Sequence, residues 1–202
     1  MTRRLGLIVT DASPLITLAA AEALECLTMP GLPVVIPDMV YFEVTQDFAK
    51  LGVGEIVDWA RKHHGQVEIV PTTVFAEFQA LRATNPRTRS KGRGEQAALE
   101  VLNAAIADDR DIEAVLFFED SDVRKRRFVR GLPERVTALS TGDLLHELEA
   151  AGRIQSSDRI LDLAAAKDRN VTAQREPQGD EEARALLREH LTRRGDQSGP
   201  KR

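Results

Sequence analysis

The sequence predicts an α/β fold, a three-layer sandwich in which helices flank a central, mostly parallel sheet. Two observations predict it. Apolar runs of only four or five residues alternate along the chain with longer segments of helical periodicity, and cap-forming residues stand between them. Strands covered on both faces read as continuous short apolar runs, whereas helices repeat an apolar residue every three or four positions. With 202 residues the chain is long enough for one sizeable core plus an appendage.

Taken in order, residues 5–9 are apolar, partly β-branched and too short for a helix, so they read as a buried strand with Asp11 at its C-terminal end. Ser13 and Pro14 then suit an N-cap and a first helical position, leading into Leu15, Ile16, Leu18 and Ala19. Residues 33–36 form a second strand. Pro37 and Asp38 open a helix that carries Glu43 within its first two turns. Helical spacing follows over 54–63, a brief strand over 67–70, and a helix with Phe75, Phe78 and Leu81 that ends before Pro86.

Residues 85–93 make a basic loop with Arg87, Arg89, Lys91 and Arg93. Its glycines, Gly92 and Gly94, let the chain turn tightly into a helix that carries Glu95 in its first turn and buries Ala98, Leu99, Leu102 and Ile106. Residues 114–118 are the strongest strand. They run into Glu119, Asp120, Ser121 and Asp122, followed by a basic stretch with Arg124, Lys125, Arg126, Arg127 and Arg130. A last strand spans 136–139, and Ser140 or Thr141 caps a helix with Leu144, Leu145 and Leu148 that Gly152 closes. Ser156 or Ser157 caps one more.

Composition turns charged from residue 174, which divides the chain into a domain over 1–173 and a tail over 174–202. Within the tail, Ala183, Leu186, Leu187, His190 and Leu191 fall on one face of a helix from about Asp180 to Arg194. Such a stripe docks on its own core, on a second copy or on another protein. Residues 195–202 read as disordered.

Composition excludes several classes of function. Forty-two per cent hydrophobic and 30% charged residues describe an ordinary soluble globular protein, and no apolar stretch approaches the ~20 residues of a membrane span. Asp11 interrupts the N-terminal apolar run too early for a secretory signal, so the expectation is a cytoplasmic protein. The single cysteine, Cys26, excludes an internal disulfide and reads as a core residue. Aromatics at 4% argue against a surface built on base stacking, and a net charge of −4 means that a polyanion would need local basic clusters. The four histidines show no metal-ligand spacing and read as surface residues.

The chemistry lies in the acids. In an open parallel sheet, ligands gather at the carboxyl ends of the strands. Asp11 and Asp120 stand at such ends, and Glu43 and Glu95 near the starts of helices that rim the same edge. Carboxylates brought together resist ionising unless a cation lies between them, and a hard divalent ion with oxygen ligands, Mg²⁺ or Mn²⁺, suits the set. The expected chemistry is metal-assisted phosphodiester hydrolysis with no nucleophilic side chain. The basic stretches at 87–93 and 124–130 adjoin two of these acids, placing Arg93, Arg124, Lys125 and Arg127 to hold phosphates. Taken singly, Asp11 equally suits a cap, Glu43 a solvated charge, and Asp120 and Asp122 the N-terminus of the basic segment after them.

Together these motifs resemble the PIN domains, metal-dependent ribonucleases that include the toxins of VapBC-type toxin–antitoxin pairs. The resemblance covers about residues 5–170. It rests on Ile8-Val9-Thr10-Asp11-Ala12-Ser13-Pro14-Leu15, Val40-Tyr41-Phe42-Glu43-Val44, Gly92-Arg93-Gly94-Glu95, Leu116-Phe117-Phe118-Glu119-Asp120 with Arg124, and the leucine-rich helix and Gly-x-Ile turn over 144–154. It implies a PIN-like sandwich with Asp11, Glu95 and Asp120 as metal ligands, Glu43 as a further acid and Ser13 as a supporting hydroxyl. The acid-rich run leaves Asp122 open beside Asp120 as the fourth ligand.

The resemblance implies a Mg²⁺- or Mn²⁺-dependent endoribonuclease acting on RNA, with a cognate antitoxin as partner; the apolar stripe of the tail helix leaves a homodimer open. Two rivals are a PIN-fold module that binds RNA or protein without cutting, and an acid-nucleophile phosphatase. The phosphatase is disfavoured because Ser13, not a second aspartate, stands two positions after Asp11.

Overall fold

Residues 4–10 extend as the strand β1 (Arg4–Thr10), whose Ile8 and Val9 point to opposite faces and are both fully buried. A computed structural model describes residues 4–109, 111–119 and 131–197, with side chains to residue 193. Asp120, Asp122, Arg124, Lys125 and Arg127 lie outside the described residues.

Around β1 the sheet adds β2 (Val34–Pro37), β3 (Val67–Val70), β4 (Ile112–Phe117) and β5 (Val136–Leu139), all parallel, in the order β3-β2-β1-β4-β5. The register sets Ile8 beside Val34 and Thr10 beside Phe117. The chain winds outward from β1 through β2 to β3, then returns to place β4 on the other side of β1. The strand order therefore reverses between β1 and β4, and their carboxyl ends open a crevice there.

Alternation along the strands builds two apolar layers. Ile8, Val34, Ile36, Val115 and Phe117 belong to one core with α1 (Ala12–Ala20), α2 (Asp38–Thr45), α3 (Val53–Lys62), α6 (Thr141–Ala150), α7 (Ser157–Ala165) and α8 (Glu181–Gln197). Leu7, Val9, Val35, Ala114 and Leu116 face the other way, against α5 (Arg93–Asp108). A third cluster joins Met39, Phe78 and Ala97, where α4 (Thr73–Thr84) meets α2 and α5. The result is an α/β three-layer sandwich, and among the described residues no helix is long and apolar enough to cross a membrane.

Helix starts follow cap chemistry with one correction. Asp11, not Ser13, is the N-cap of α1, and Pro14 lies in the first turn. Ser140 caps α6 in a reciprocal capping box with Asp143, and Ser156 caps α7. In α5 the buried stripe is Ala97, Ala98, Val101, Leu102 and Ile106, and Leu99 is only partly buried.

The C-terminal helix packs on the same chain. Ala183, Leu187 and Leu191 enter the core that holds Ile8. Arg188 grips the buried Glu147 with two hydrogen bonds of 2.7 Å, and this pairing holds its guanidinium well above the ordinary arginine range. The fully buried Asp143 accepts from the Gln178 and Gly179 backbone N–H groups, fixing the strand of chain that leads into α8. Residues 195–197, expected to be disordered, extend α8. His63, His146 and His190 are partly buried, leaving His64 alone among the histidines as an exposed residue.

Candidate functional site

The crevice between β1 and β4 is lined first by Asp11. Its backbone N–H donates to the Phe117 carbonyl at 2.9 Å, so the residue is fastened across the two central strands where they end. Although Asp11 is the N-cap of α1, its carboxylate accepts no hydrogen bond from that helix's backbone, and the residue is 9% exposed. Its capping position is thus occupied by backbone geometry, and the carboxylate is directed elsewhere.

Glu43 comes from the second turn of α2, which starts where β2 ends. Asp38 fixes that start: its carboxylate accepts from Met39 N at 2.8 Å, from the Thr72 hydroxyl at 2.6 Å and from Thr72 N at 3.1 Å. These bonds tie the carboxyl ends of β2 and β3 together, and Glu43 rides on the helix so anchored.

The third contributor is the turn into α5. Gly92 is its N-cap at φ +78°, a left-handed conformation that favours glycine. Gly94 is buried for a different reason: it is where carboxylates converge. A Cβ at this position would lie 2.9 Å from Glu43 Oε2 and 3.6 Å from Asp11 Oδ1, so both acids lie within 4 Å of one point above the glycine. A side chain there would fill the space between them.

The other expected residues are placed as follows. Glu95 is partly buried, with Oε2 turned back to within 3.6 Å of where a Cβ on Gly92 would stand. Ser13 lies in the first turn of α1, where its carbonyl accepts from Arg169 Nη2 at 3.5 Å. Arg93 lays its guanidinium 5.5 Å from the Phe78 ring centre. Arg87, Arg89 and Lys91 are exposed on the loop before α5.

One acid has a role that the sequence did not single out. Glu119, 9% exposed, accepts from the Thr17 hydroxyl at 3.1 Å and the Thr141 hydroxyl at 2.7 Å, and pairs with Arg169 at 3.4 Å. Arg169 also donates to Thr17 Oγ1 at 3.0 Å. Glu119 therefore ties α1, α6 and the chain after α7 together just past the end of β4. A run of three acids in four residues gives no sign of which one turns inward.

The donor chemistry fits a hard divalent cation. Asp11 and Glu43 offer carboxylate oxygens converging on a space kept open by glycine, which suits Mg²⁺ or Mn²⁺ rather than a soft metal. Among the described residues no group of three or more acids, histidines or cysteines forms a metal site by itself.

Residues 7–82 match the DUF3368 family model, described as a PIN domain, a nuclease-type fold. The matched segment includes β1 from Leu7 onward, Asp11, α2 and Glu43. No curated protein matches the chain.

Proposed function

We propose that this chain, a PIN-domain protein over residues 7–82, is a divalent-metal-dependent ribonuclease that hydrolyses RNA phosphodiester bonds. The observation that carries the reading is the convergence of Asp11 and Glu43 over Gly94 at the point where the strand order reverses. Asp11, Glu43 and Glu95, with Asp120 and Asp122, would hold Mg²⁺ or Mn²⁺. Such an ion supplies Lewis acidity toward the phosphodiester and toward water.

The chain's own residues do the rest. The Asp11 backbone bond to Phe117 and the Asp38 bonds to Thr72 hold the two carboxylate-bearing segments rigidly before substrate arrives. That rigidity keeps the oxygens from reorganising during the reaction. Gly94 keeps side-chain atoms out of the space between the acids. The cations of the neighbouring loop, Arg87, Arg89 and Lys91, and Arg93 at the start of α5 would offset the charge of the RNA backbone, a role proposed also for Arg124, Lys125 and Arg127.

The test is cleavage of a mixed pool of structured RNAs by the purified chain with Mn²⁺, with Mg²⁺ and with chelator, beside a folded Asp11→Asn variant. Metal-dependent cutting that the variant loses is the expected result; cutting that persists in chelator or in the variant contradicts the assignment. A toxin restrained by a cognate antitoxin is the cellular role that suits this activity. Its test is growth arrest on expression, abolished by Asp11→Asn.

A further inference from the structure

The chain has only seven phenylalanines, yet three of them meet at one corner of the molecule. Phe42 lies 5.4 Å from Phe75 and 5.5 Å from Phe78, ring centre to ring centre. Two guanidinium groups lie over these rings: Arg82 is 5.1 Å from Phe42 and 5.9 Å from Phe78, and Arg93 is 5.5 Å from Phe78. The corner adjoins the acids through the chain itself, because Phe42 precedes Glu43 and Arg93 precedes Gly94.

We propose that Arg82 is a stacking platform for an unpaired RNA base beside the acid pair, a reading that rests on the ribonuclease function proposed above. Arg82 lies in the last turn of α4, where any cation is favoured by the helix dipole, so its charge alone would not distinguish it. Its placement does. Its guanidinium carbon stands 5.1 Å from the centre of the Phe42 ring and 5.9 Å from that of Phe78, so two rings hold the group in place while Arg82 is exposed. A flat partner that stacks on it meets little further entropy cost.

Phosphate binding needs no such fixing, and the exposed loop with Arg87, Arg89 and Lys91 supplies it next door. RNA is read through splayed bases stacked on aromatic rings or guanidinium planes, whereas a paired base has both faces covered by its neighbours.

The experiment uses the full chain carrying Asp11→Asn, so that RNA stays intact, and measures fluorescence anisotropy with three probes. These are a labelled single strand, the same strand with abasic nucleotides, and a fully paired duplex. The single strand should bind roughly tenfold tighter than the abasic strand, within the range that one stacked base contributes. Arg82→Lys should lose that preference while leaving the salt dependence unchanged, because it keeps the charge and removes the plane.

If Arg82→Lys binds like its parent while Arg82→Gln weakens all probes alike and lowers the salt slope by about one, Arg82 is a phosphate contact and the proposal falls. Equal binding of intact and abasic strands by the parent overturns it without any variant, even where the wild-type chain still cuts RNA. A wild-type chain that neither binds nor cuts RNA overturns the ribonuclease reading together with it.

Discussion

Replacing Gly94 with alanine separates chemistry from folding more cleanly than removing an acid. The new methyl group would stand 2.9 Å from Glu43 Oε2, 3.5 Å from Val40 Cγ2 and 3.6 Å from Asp11 Oδ1. The last two are ordinary contacts. The first is not, since carbon and oxygen atoms rarely approach closer than about 3.3 Å, so the Glu43 carboxylate must retreat by roughly 0.5 Å. The displaced atom is the tip of a flexible side chain, and alanine is better than glycine inside a helix by about 0.5–1 kcal/mol. Folding stability should therefore change by less than about 1 kcal/mol.

Catalytic geometry tolerates less. Reacting groups must be held within about 0.5 Å of their productive positions, and a displacement near 1 Å costs about a hundredfold. G94A should lower kcat/KM for RNA cleavage roughly 10- to 100-fold while its Tm stays level or rises. Initial rates on a fluorogenic RNA in Mn²⁺, with a circular-dichroism melt of the same sample, check both halves. Parent-level cleavage by folded G94A would show that Glu43 takes no part at this point, and a collapsed Tm would show that the crowding is not relieved by a side-chain tip.

Three further outcomes follow from the packing. Leu187 is fully buried, so Leu187→Ala should destabilise the whole domain by about 2–5 kcal/mol, seen as a single cooperative melt shifted downward; an unchanged melt would mean that α8 is not part of the core. Desolvation raises the Glu100 carboxyl, but bonds from Thr73 N, the Thr73 hydroxyl and Val74 N outweigh it and hold the group below the usual glutamate range. Its contribution is then complete above the unfolded value of about 4.3 and lost as pH falls through the lower folded value, so parent and Glu100→Gln stabilities should converge in acid. Burial pushes the Cys26 thiol up to about 11, so a disulfide reagent at about pH 8 should modify it only on unfolding, and rapid modification of the native chain would contradict its burial.

What the sequence disclosed and what it withheld divide along physical lines. Strands such as Val34–Pro37 and Ile112–Phe117 were readable because a strand buried between layers must be apolar over a short run. The α1 cap was misplaced because the first turn of a helix leaves its N–H groups unpaired, so Pro14 fits that turn without marking its first residue. The stripe Ala183, Leu187 and Leu191 announced a buried face but not its partner, since Asp143 and Glu147 look in sequence like ordinary helix acids. At the site, the glycines pointed to a tight turn at Glu95, but only the structure shows that Gly94 is the point on which Asp11 and Glu43 close. Overall aromatic content likewise says nothing of where three phenylalanines gather.

Calorimetric titration of the purified chain with Mn²⁺, beside folded Asp11→Asn and Glu43→Gln variants, asks whether the acids over Gly94 form a cation site. Saturable binding by the parent, weakened at least tenfold in each variant, is the expected result. Binding that both variants retain at full strength, or a parent that binds no Mn²⁺, would contradict it.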